Sequence, residues 1–164
     1  MSPEIRDARA DDLQAVRALL REYERSLGVD LGFQGFAEEL ERLPGEFRPE
    51  ARGALLVAAG GSGLAGCVAL RAWSQRDCEL KRLYVVPAAR GSGLGRRLAE
   101  AALERAHDLG YARVLLDTLP SMHAARRLYR SLGFVATQPY RENPVPGTAF
   151  LALDLSRGQT RLTP

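Results

Sequence analysis

The residues most readily tied to chemistry in this sequence form a short run with alternating glycines. The run is Arg90-Gly91-Ser92-Gly93-Leu94-Gly95, and an apolar segment that stops at Pro87 precedes it. From Leu94 to Leu109, leucine and alanine recur at helical spacing, so the stretch predicts a strand, a glycine-rich turn and a helix. Glycines allow close approach of the backbone to a ligand, and a helix start offers unpaired N–H donors and the positive end of a dipole. The pattern therefore indicates an anion site.

Three arginines, Arg90, Arg96 and Arg97, crowd this predicted helix start. A positive side chain there is unfavourable by about 0.3–1 kcal/mol, and a bound phosphate would remove the conflict. The two standard nucleotide motifs do not fit, because a dinucleotide fingerprint needs glycine at position 96 and a P-loop needs Gly-Lys-Ser/Thr at its end. A glycine-rich turn with no ligand is the alternative, although one glycine would suffice for that.

Two segments resemble motifs of the GNAT N-acetyltransferase superfamily. The run at 90–95 resembles motif A, R/Q-x-x-G-x-G/A, and residues 125–134 resemble motif B, A-x-x-L-Y-x-x-x-G-F. Many family members carry asparagine three residues before the motif B alanine, where this chain has Met122. The resemblance implies acetyl-CoA as co-substrate, with its pyrophosphate at the motif A turn and its pantetheine arm on the preceding strand. The implied binding residues are Leu83, Tyr84, Val85, Arg90, Gly91, Ser92, Gly93, Leu94, Gly95 and Arg96.

The elements around these motifs predict a mixed α+β fold. Two glycine- or polar-punctuated hairpins join strands at 54–59, 64–73 and 78–86, and a buried strand at 113–118 follows the long helix. The alternation slips between Leu80 and Leu83, which predicts a β-bulge. The resemblance implies a GNAT-like, mostly antiparallel sheet of six to seven strands with about four helices, splayed at the acyl-CoA site. We expect one domain over 2–156 and a disordered tail over 157–164.

Glu79 and Tyr129 are the candidate catalytic residues. An amine attacks a thioester as the free base, and the departing thiolate leaves more easily when it is protonated, so a base and an acid both help. The resemblance implies Glu79 as the base and Tyr129, the motif B tyrosine, as the acid. The alternatives are a solvated or lysine-paired carboxylate and a tyrosine that only packs against the sheet.

The acceptor is predicted only as a primary amine of a small molecule or peptide. Candidate acceptor residues are Phe33, Phe36, Arg71, Trp73 and Asn143. Residues 1–50 carry 12 acidic and 7 basic side chains, whereas 51–164 carry 8 and 16, which suits a cationic acceptor beside a polyanionic coenzyme. A non-catalytic acyl-CoA sensor with the same fold is the alternative function.

Composition argues against several other classes of protein and ligand. No apolar run approaches a membrane span and the N-terminus lacks a signal-peptide pattern, so we expect a cytoplasmic protein with no membrane partner. Two cysteines and two histidines are too few and too separated for a zinc site or a disulfide framework, so no metal is expected. Dispersed arginines, one lysine and no recognised motif argue against nucleic acid. The sequence leaves the oligomeric state open, because an edge strand could pair with a second copy of the chain to form a homodimer.

Overall fold

The computed structural model describes residues 2–156, in which seven strands form one sheet. The strands are β1 (Glu4–Asp7), β2 (Ala54–Gly60), β3 (Gly63–Ala72), β4 (Asp77–Val85), β5 (Arg113–Thr118), β6 (Val135–Ala136) and β7 (Ala149–Asp154). Their spatial order is β1-β2-β3-β4-β5-β7-β6, and every pair is antiparallel except β4 with β5. The predicted mostly antiparallel sheet is confirmed. The predicted tail at 157–164 lies outside the described residues.

Four α-helices cover the sheet, in agreement with the prediction. They are α1 (Leu13–Leu27), α2 (Phe36–Arg42), α3 (Leu94–Asp108) and α4 (His123–Ser131). Helix α1 ends at Gly28, whose left-handed backbone forms the C-cap. Helix α4 has Met122 as its N-cap residue. Short 3₁₀ turns add Ala10–Asp12, Leu31–Gln34, Pro49–Ala51 and Pro87–Ala89.

The two faces of the sheet pack into two separate apolar clusters. One cluster joins α3 to alternate residues of the strands, such as Cys78 and Leu80 of β4. The other joins α1 and α2 to residues of opposite parity, such as Ala69 of β3. Since successive side chains of a strand point to opposite faces, Glu79 and Lys81 lie on the α1 and α2 side. The fold thereby places two charged side chains inside an otherwise apolar layer.

Strand β4 is interrupted in two ways beside the predicted site. Cys67 pairs with Tyr84 and Ala69 with Lys81, so β4 carries one extra residue against β3. That residue count defines the predicted bulge, and Arg82 within it has a φ of 61°. On its other side, β4 pairs with β5 only from Asp77 to Glu79. From Leu80 to Val85 the backbone of β4 has no partner strand on that side among residues 2–156, so the two strands open into a gap.

Candidate functional site

The turn before α3 presents a row of unpaired backbone donors. Gly91 and Gly93 both have a φ of 83°, a left-handed conformation that favours glycine. The first backbone bond of the helix runs from the N–H of Arg97 to the carbonyl of Gly93, at 3.1 Å. In the described part of the chain, the six N–H groups of residues 91–96 donate to no protein acceptor. Such donors at a helix start are the physical requirement for binding a phosphate.

A cleft of about 590 Å³ runs from this turn to the gap beside β4. Nine of the ten predicted coenzyme residues line it, and the exception is Ser92. The Ser92 hydroxyl donates to the carbonyl of Ala89 at 2.7 Å, while its backbone N–H belongs to the unpaired row. The end of α1 and the start of α4 form the opposite wall, with Tyr23, Ser26, Leu27 and residues 121–125. The cleft therefore brings motif A, β4 and motif B together.

The three arginines at this turn have different orientations. The Nε of Arg90 donates to the Val85 carbonyl at 2.9 Å, and its guanidinium lies 5.5 Å from the centre of the Tyr84 ring. Arg96 lines the cleft and donates to the Ser131 hydroxyl at 2.8 Å. Arg97 points elsewhere, since it donates to the Pro3 carbonyl at 3.0 Å. Only the first two are placed to meet an anion in the cleft.

A small inner cavity of about 30 Å³ lies where β4 and β5 separate. Its lining residues are Tyr23, Leu27, Leu31, Gln34, Leu80, Lys81, Arg82, Asp117, Leu119, Met122, Tyr129 and Asn143. It shares Tyr23, Leu27 and Met122 with the cleft, so the two spaces adjoin. A volume of this size holds a group of one or two water-sized atoms.

Tyr129 reaches this inner cavity from α4. Its side chain is 4% exposed and its ring packs against Phe134, with the ring centres 5.6 Å apart. Burial raises the pKa of Tyr129 well above its ordinary value, with smaller contributions from Tyr23 and Asp117. Its hydroxyl has no hydrogen-bond partner among the described residues. A neutral phenol at the cavity wall is therefore available to donate a proton.

Glu79 lies next to this cavity and does not line it. Its carboxylate accepts bonds from the Nε of Arg71 at 2.8 Å, the hydroxyl of Tyr140 at 2.8 Å and Nη1 of Arg141 at 3.1 Å. Burial alone would raise the pKa of Glu79, but the charges of Lys81, Arg141 and Arg71 outweigh it and lower the pKa below its ordinary value. Both oxygens are occupied and the side chain is 1% exposed, which disfavours direct proton transfer to Glu79.

Lys81 and Arg82 share a second carboxylate, Glu39 of α2. Arg82 binds it with two hydrogen bonds, at 2.8 and 3.0 Å. The Nζ of Lys81 is 3.8 Å from Glu39 and 4.0 Å from Glu79, beyond hydrogen-bond distance of either oxygen. Burial, with a smaller contribution from Arg82, lowers the pKa of Lys81 to about 8. Unlike Arg82, Lys81 therefore has no hydrogen bond to a carboxylate.

A groove of about 650 Å³ lies along α2 beside the same cavity. Gln34 lines both the groove and the inner cavity. The Oε1 atom of Gln34 is buried and accepts no hydrogen bond from the described residues. Glu38, Glu39, Glu46, Arg42, Arg48 and Arg71 are the charged residues of the groove. The cleft, the cavity and the groove thus follow one another along shared lining residues.

The predicted acceptor residues separate into different places. Asn143 lines the inner cavity and donates to Asp117 at 3.1 Å, and Arg71 lines the groove. Trp73 is 37% exposed beside this network, with its ring edge-on to Tyr140 at 5.0 Å. Phe36 is buried beneath the Arg82 guanidinium, 4.9 Å from its ring centre, so it serves the core and does not line the cavity. The placement of the Phe33 side chain lies outside the described residues.

Several polar residues of the inner cavity were not predicted as site residues, among them Gln34, Lys81 and Asp117. Lys81 carried a usable signal, because it stands two positions after Glu79 on the same strand and is the only lysine in the sequence. Asp117 follows an apolar strand core, where a carboxylate near the strand end is a weak signal. Gln34 lies in a glycine-punctuated turn, and no pattern marks it.

Over residues 2–156, no three His, Cys, Asp or Glu side chains are grouped as metal ligands. No helix in this part of the chain is long and apolar enough to span a membrane.

Comparisons with known proteins agree on one family. The model of the Acetyltransferase (GNAT) family matches residues 13–134. An uncharacterised N-acetyltransferase of Schizosaccharomyces pombe is 39% identical over 148 residues, which cover 89% of this chain and 90% of that protein. The IAA acetyltransferase of Azospirillum brasilense is 34% identical over 140 residues, covering 84% and 89%. The structure of YncA from Salmonella typhimurium with its cofactor acetyl-CoA superposes with a TM-score of 0.68 at 22% identity, covering 93% of both chains.

Proposed function

We propose that this chain, which belongs to the Acetyltransferase (GNAT) family, moves an acetyl group from acetyl-CoA to the primary amine of a small molecule or peptide. One observation carries the proposal. The cleft begins at six unpaired backbone donors and reaches the gap between β4 and β5, where the neutral hydroxyl of Tyr129 lies. A diphosphate needs such donors, and acyl transfer needs a proton donor at the other end.

The chain has groups suited to the diphosphate, the pantetheine arm and the thioester of acetyl-CoA. The N–H groups of residues 91–96 would hold the diphosphate, with Arg90 and Arg96 beside them. The free edge of β4 from Leu80 to Val85 offers backbone donors and acceptors to the amides of the pantetheine arm, as a missing strand would. A backbone N–H near Val85 would polarise the thioester carbonyl. Bound there, acetyl-CoA supplies the activated acetyl group.

Tyr129 is the acid in this proposal. As the new C–N bond forms and the C–S bond breaks, the Tyr129 hydroxyl gives its proton to the departing sulfur. Two observations support the role: its hydroxyl has no competing protein partner in the described part of the chain, and its raised pKa keeps it protonated at neutral pH. Met122, where many relatives have asparagine, adds only a thioether to this wall.

The acceptor amine would enter through the α2 groove. The inner cavity has room for an amino group and the carbon that bears it, while the groove accommodates the rest of the molecule. Gln34 Oε1, which lacks a partner among residues 2–156, and the Asp117 carboxylate are the acceptors that would orient its N–H groups. Arg71 and Trp73 would contact the body of the acceptor farther out.

Glu79 has less support as the base than Tyr129 has as the acid. An ion-paired carboxylate with a lowered pKa is a weak proton acceptor, and no side of Glu79 opens to the inner cavity. We propose that its carboxylate holds Arg71, Arg141 and Lys81 in place around the acceptor site.

The test is release of free thiol from acetyl-CoA with a panel of amines, with the acetylated product identified by mass spectrometry. A comparison of two isomeric acceptors makes this assay more specific. Nα-acetyllysine has its free amine on an unbranched arm, whereas Nε-acetyllysine has its free amine on a branched carbon. The narrow cavity predicts a kcat/KM at least about tenfold higher for the unbranched isomer. Binding of acetyl-CoA without thiol release for any amine would instead support the alternative function, an acyl-CoA sensor.

A further inference from the structure

The sequence uses lysine once. Of the 23 Lys and Arg residues, all but Lys81 are arginine. The two residue types share a charge but differ in proton chemistry, because arginine stays protonated in proteins whereas a buried lysine readily loses its proton. The only basic side chain of this class that is able to become neutral therefore stands at the gap in the sheet, on the inner cavity.

Lys81 is also held differently from its arginine neighbours. Lys81 is 9% exposed, and its Nζ lies 3.8 Å from the nearest Glu39 oxygen and 4.0 Å from the nearest Glu79 oxygen. Arg71 and Arg82, by contrast, donate to Glu79 and Glu39 at 2.8 Å each. An ion pair without a hydrogen bond leaves the amine free to turn toward the cavity that Tyr129 lines from the opposite element, α4.

We propose that Lys81 is the base that takes the proton from the attacking amine. The proposal rests on the proposed acetyl transfer. The nitrogen of the acceptor bonds to the acetyl carbon, the C–S bond breaks, the sulfur receives the Tyr129 proton, and the neutral Lys81 amine receives the proton lost by the acceptor nitrogen. Return of one proton from Lys81 to the Tyr129 oxygen through the cavity restores both groups, so no further reactant is needed. Glu79 and Glu39 stabilise the Lys81 ammonium that forms, and Glu79 is a positioning residue.

The charges around Lys81 suit a base that works near neutral pH. Burial and the like charges of Arg82 and Arg71 favour the neutral amine, while Glu79 of the same strand and Glu39 of α2 favour the ammonium. Asp117 of β5 lines the same cavity and adds a third carboxylate. The balance lowers the pKa of Lys81 to about 8, where a base can both hold and release a proton.

A single lysine makes the pKa directly measurable. Protein labelled with ¹³C at lysine Cε gives one side-chain signal, which needs no assignment. Its titration is expected to have a midpoint near 8, as burial of the amine requires. A midpoint at or above the ordinary value of 10.5 would overturn the proposal, because such a lysine is almost wholly protonated at the working pH.

Kinetics of two variants then separate a base from a structural cation. Lys81→Arg keeps the charge and cannot lose a proton, and Lys81→Met removes the charge at similar length. Both are expected to lower kcat by about 100-fold to 10,000-fold at pH 8 and above, the range for lost general base catalysis. The dissociation constant of acetyl-CoA, measured by calorimetry, should change less than about threefold, which also shows that the variants are folded.

The pH dependence of the wild-type to Lys81→Arg ratio of kcat is the deciding measurement. Because the acceptor titrates identically in both assays, the ratio isolates Lys81, and it is expected to rise about tenfold per pH unit toward pH 8 and then level off. A ratio that is the same at every pH, or full activity in either variant, overturns the proposal and leaves acetyl transfer standing. Failure of the wild-type protein to acetylate any amine overturns both.

Discussion

The two sides of the gap between β4 and β5 are built from different parts of the chain. The cleft side uses backbone groups of one continuous stretch, residues 83–96, and it is wide, at about 590 Å³. The other side, where we propose that the acceptor binds, uses charged side chains from α2, β3, β4 and the segment before β7. These side chains and the inner cavity of about 30 Å³ are together called the chamber. The proposed coenzyme site, built from backbone groups, thus adjoins a narrow chamber with charged side chains.

This difference explains how the two sides would work. Backbone donors fixed by a helix start need no particular side chains, so the cleft suits a ligand shared by a whole family. A chamber of paired side chains discriminates, because any acceptor that enters must satisfy or displace buried polar groups. We therefore expect substitutions at the turn to weaken coenzyme binding and substitutions in the chamber to change turnover, acceptor choice and stability.

The largest effect is expected from Tyr129→Phe, which removes one oxygen at the meeting point of the two sides. We expect kcat to fall by about 100-fold to 10,000-fold, the range for lost general acid catalysis, with little change in acetyl-CoA affinity. Steady-state kinetics and calorimetry measure the two quantities. Tyr111→Phe is the matched control, since the Tyr111 hydroxyl donates to the Arg52 carbonyl and Tyr111 lines neither the cleft, the inner cavity nor the groove. The kcat of this variant should stay within about twofold of the wild-type value. Unchanged kcat in Tyr129→Phe would remove the tyrosine from the reaction.

Much of the cleft could be predicted from sequence, whereas only Tyr129 and Asn143 of the inner cavity were predicted as site residues. A turn made by Gly91 and Gly93 leaves a local signature, because its conformation depends on residues next to each other in the chain. Lys81 and Glu79 of one strand meet Glu39 and Arg141 only after three distant segments have packed, and nothing in their spacing specifies that packing. The predicted bulge succeeded because a slip in alternation is again a local signal.

Gly93→Val tests the cleft side alone. A valine at a φ of 83° is strained and its side chain projects into open space beside the turn, where the diphosphate would lie. Loss of two charge-assisted hydrogen bonds at about 1.5 kcal/mol each predicts an affinity for acetyl-CoA about 100-fold lower. The control is Gly110→Val at the end of α3, which has a φ of 88° and the same open surroundings. Equal affinities of the two variants in calorimetry would place the diphosphate elsewhere.

Glu79→Gln should have the smallest effect, and it concerns the stability of the chamber. The amide keeps one acceptor oxygen but removes the charge, which leaves Glu46 as the counter-charge of Arg71 and Asp117 as that of Arg141. Because these pairs remain, the free energy of unfolding should fall by only about 2 kcal/mol at pH 7, the size of a lost charge-assisted hydrogen bond. Urea denaturation followed by circular dichroism measures it. Glu100→Gln, at an exposed ion pair with Arg96, should change it by less than about 0.5 kcal/mol. A Glu79→Gln protein as stable as the wild type would show that the buried network is not held by Glu79.

The same variant gives a pH signature. Because folding lowers the pKa of Glu79, the unfolded chain binds the Glu79 proton more tightly than the folded chain does. The contribution of Glu79 to the free energy of unfolding is therefore complete above pH 4.5, its ordinary pKa, and is lost as the pH falls below that value. The stability difference between wild type and Glu79→Gln should therefore shrink on acidification from pH 5. A difference that is constant with pH would mean that the carboxylate is not stabilised by its neighbours.

The most direct test of the proposed reaction is a crystal structure of the protein with acetyl-CoA. We expect the diphosphate oxygens within hydrogen-bond distance of the N–H groups of residues 91–96, and the thioester in the gap between β4 and β5 with its sulfur facing Tyr129. A coenzyme bound in the α2 groove or on another surface, with the turn before α3 making no contact to it, would contradict the proposed site and the reaction assigned to it.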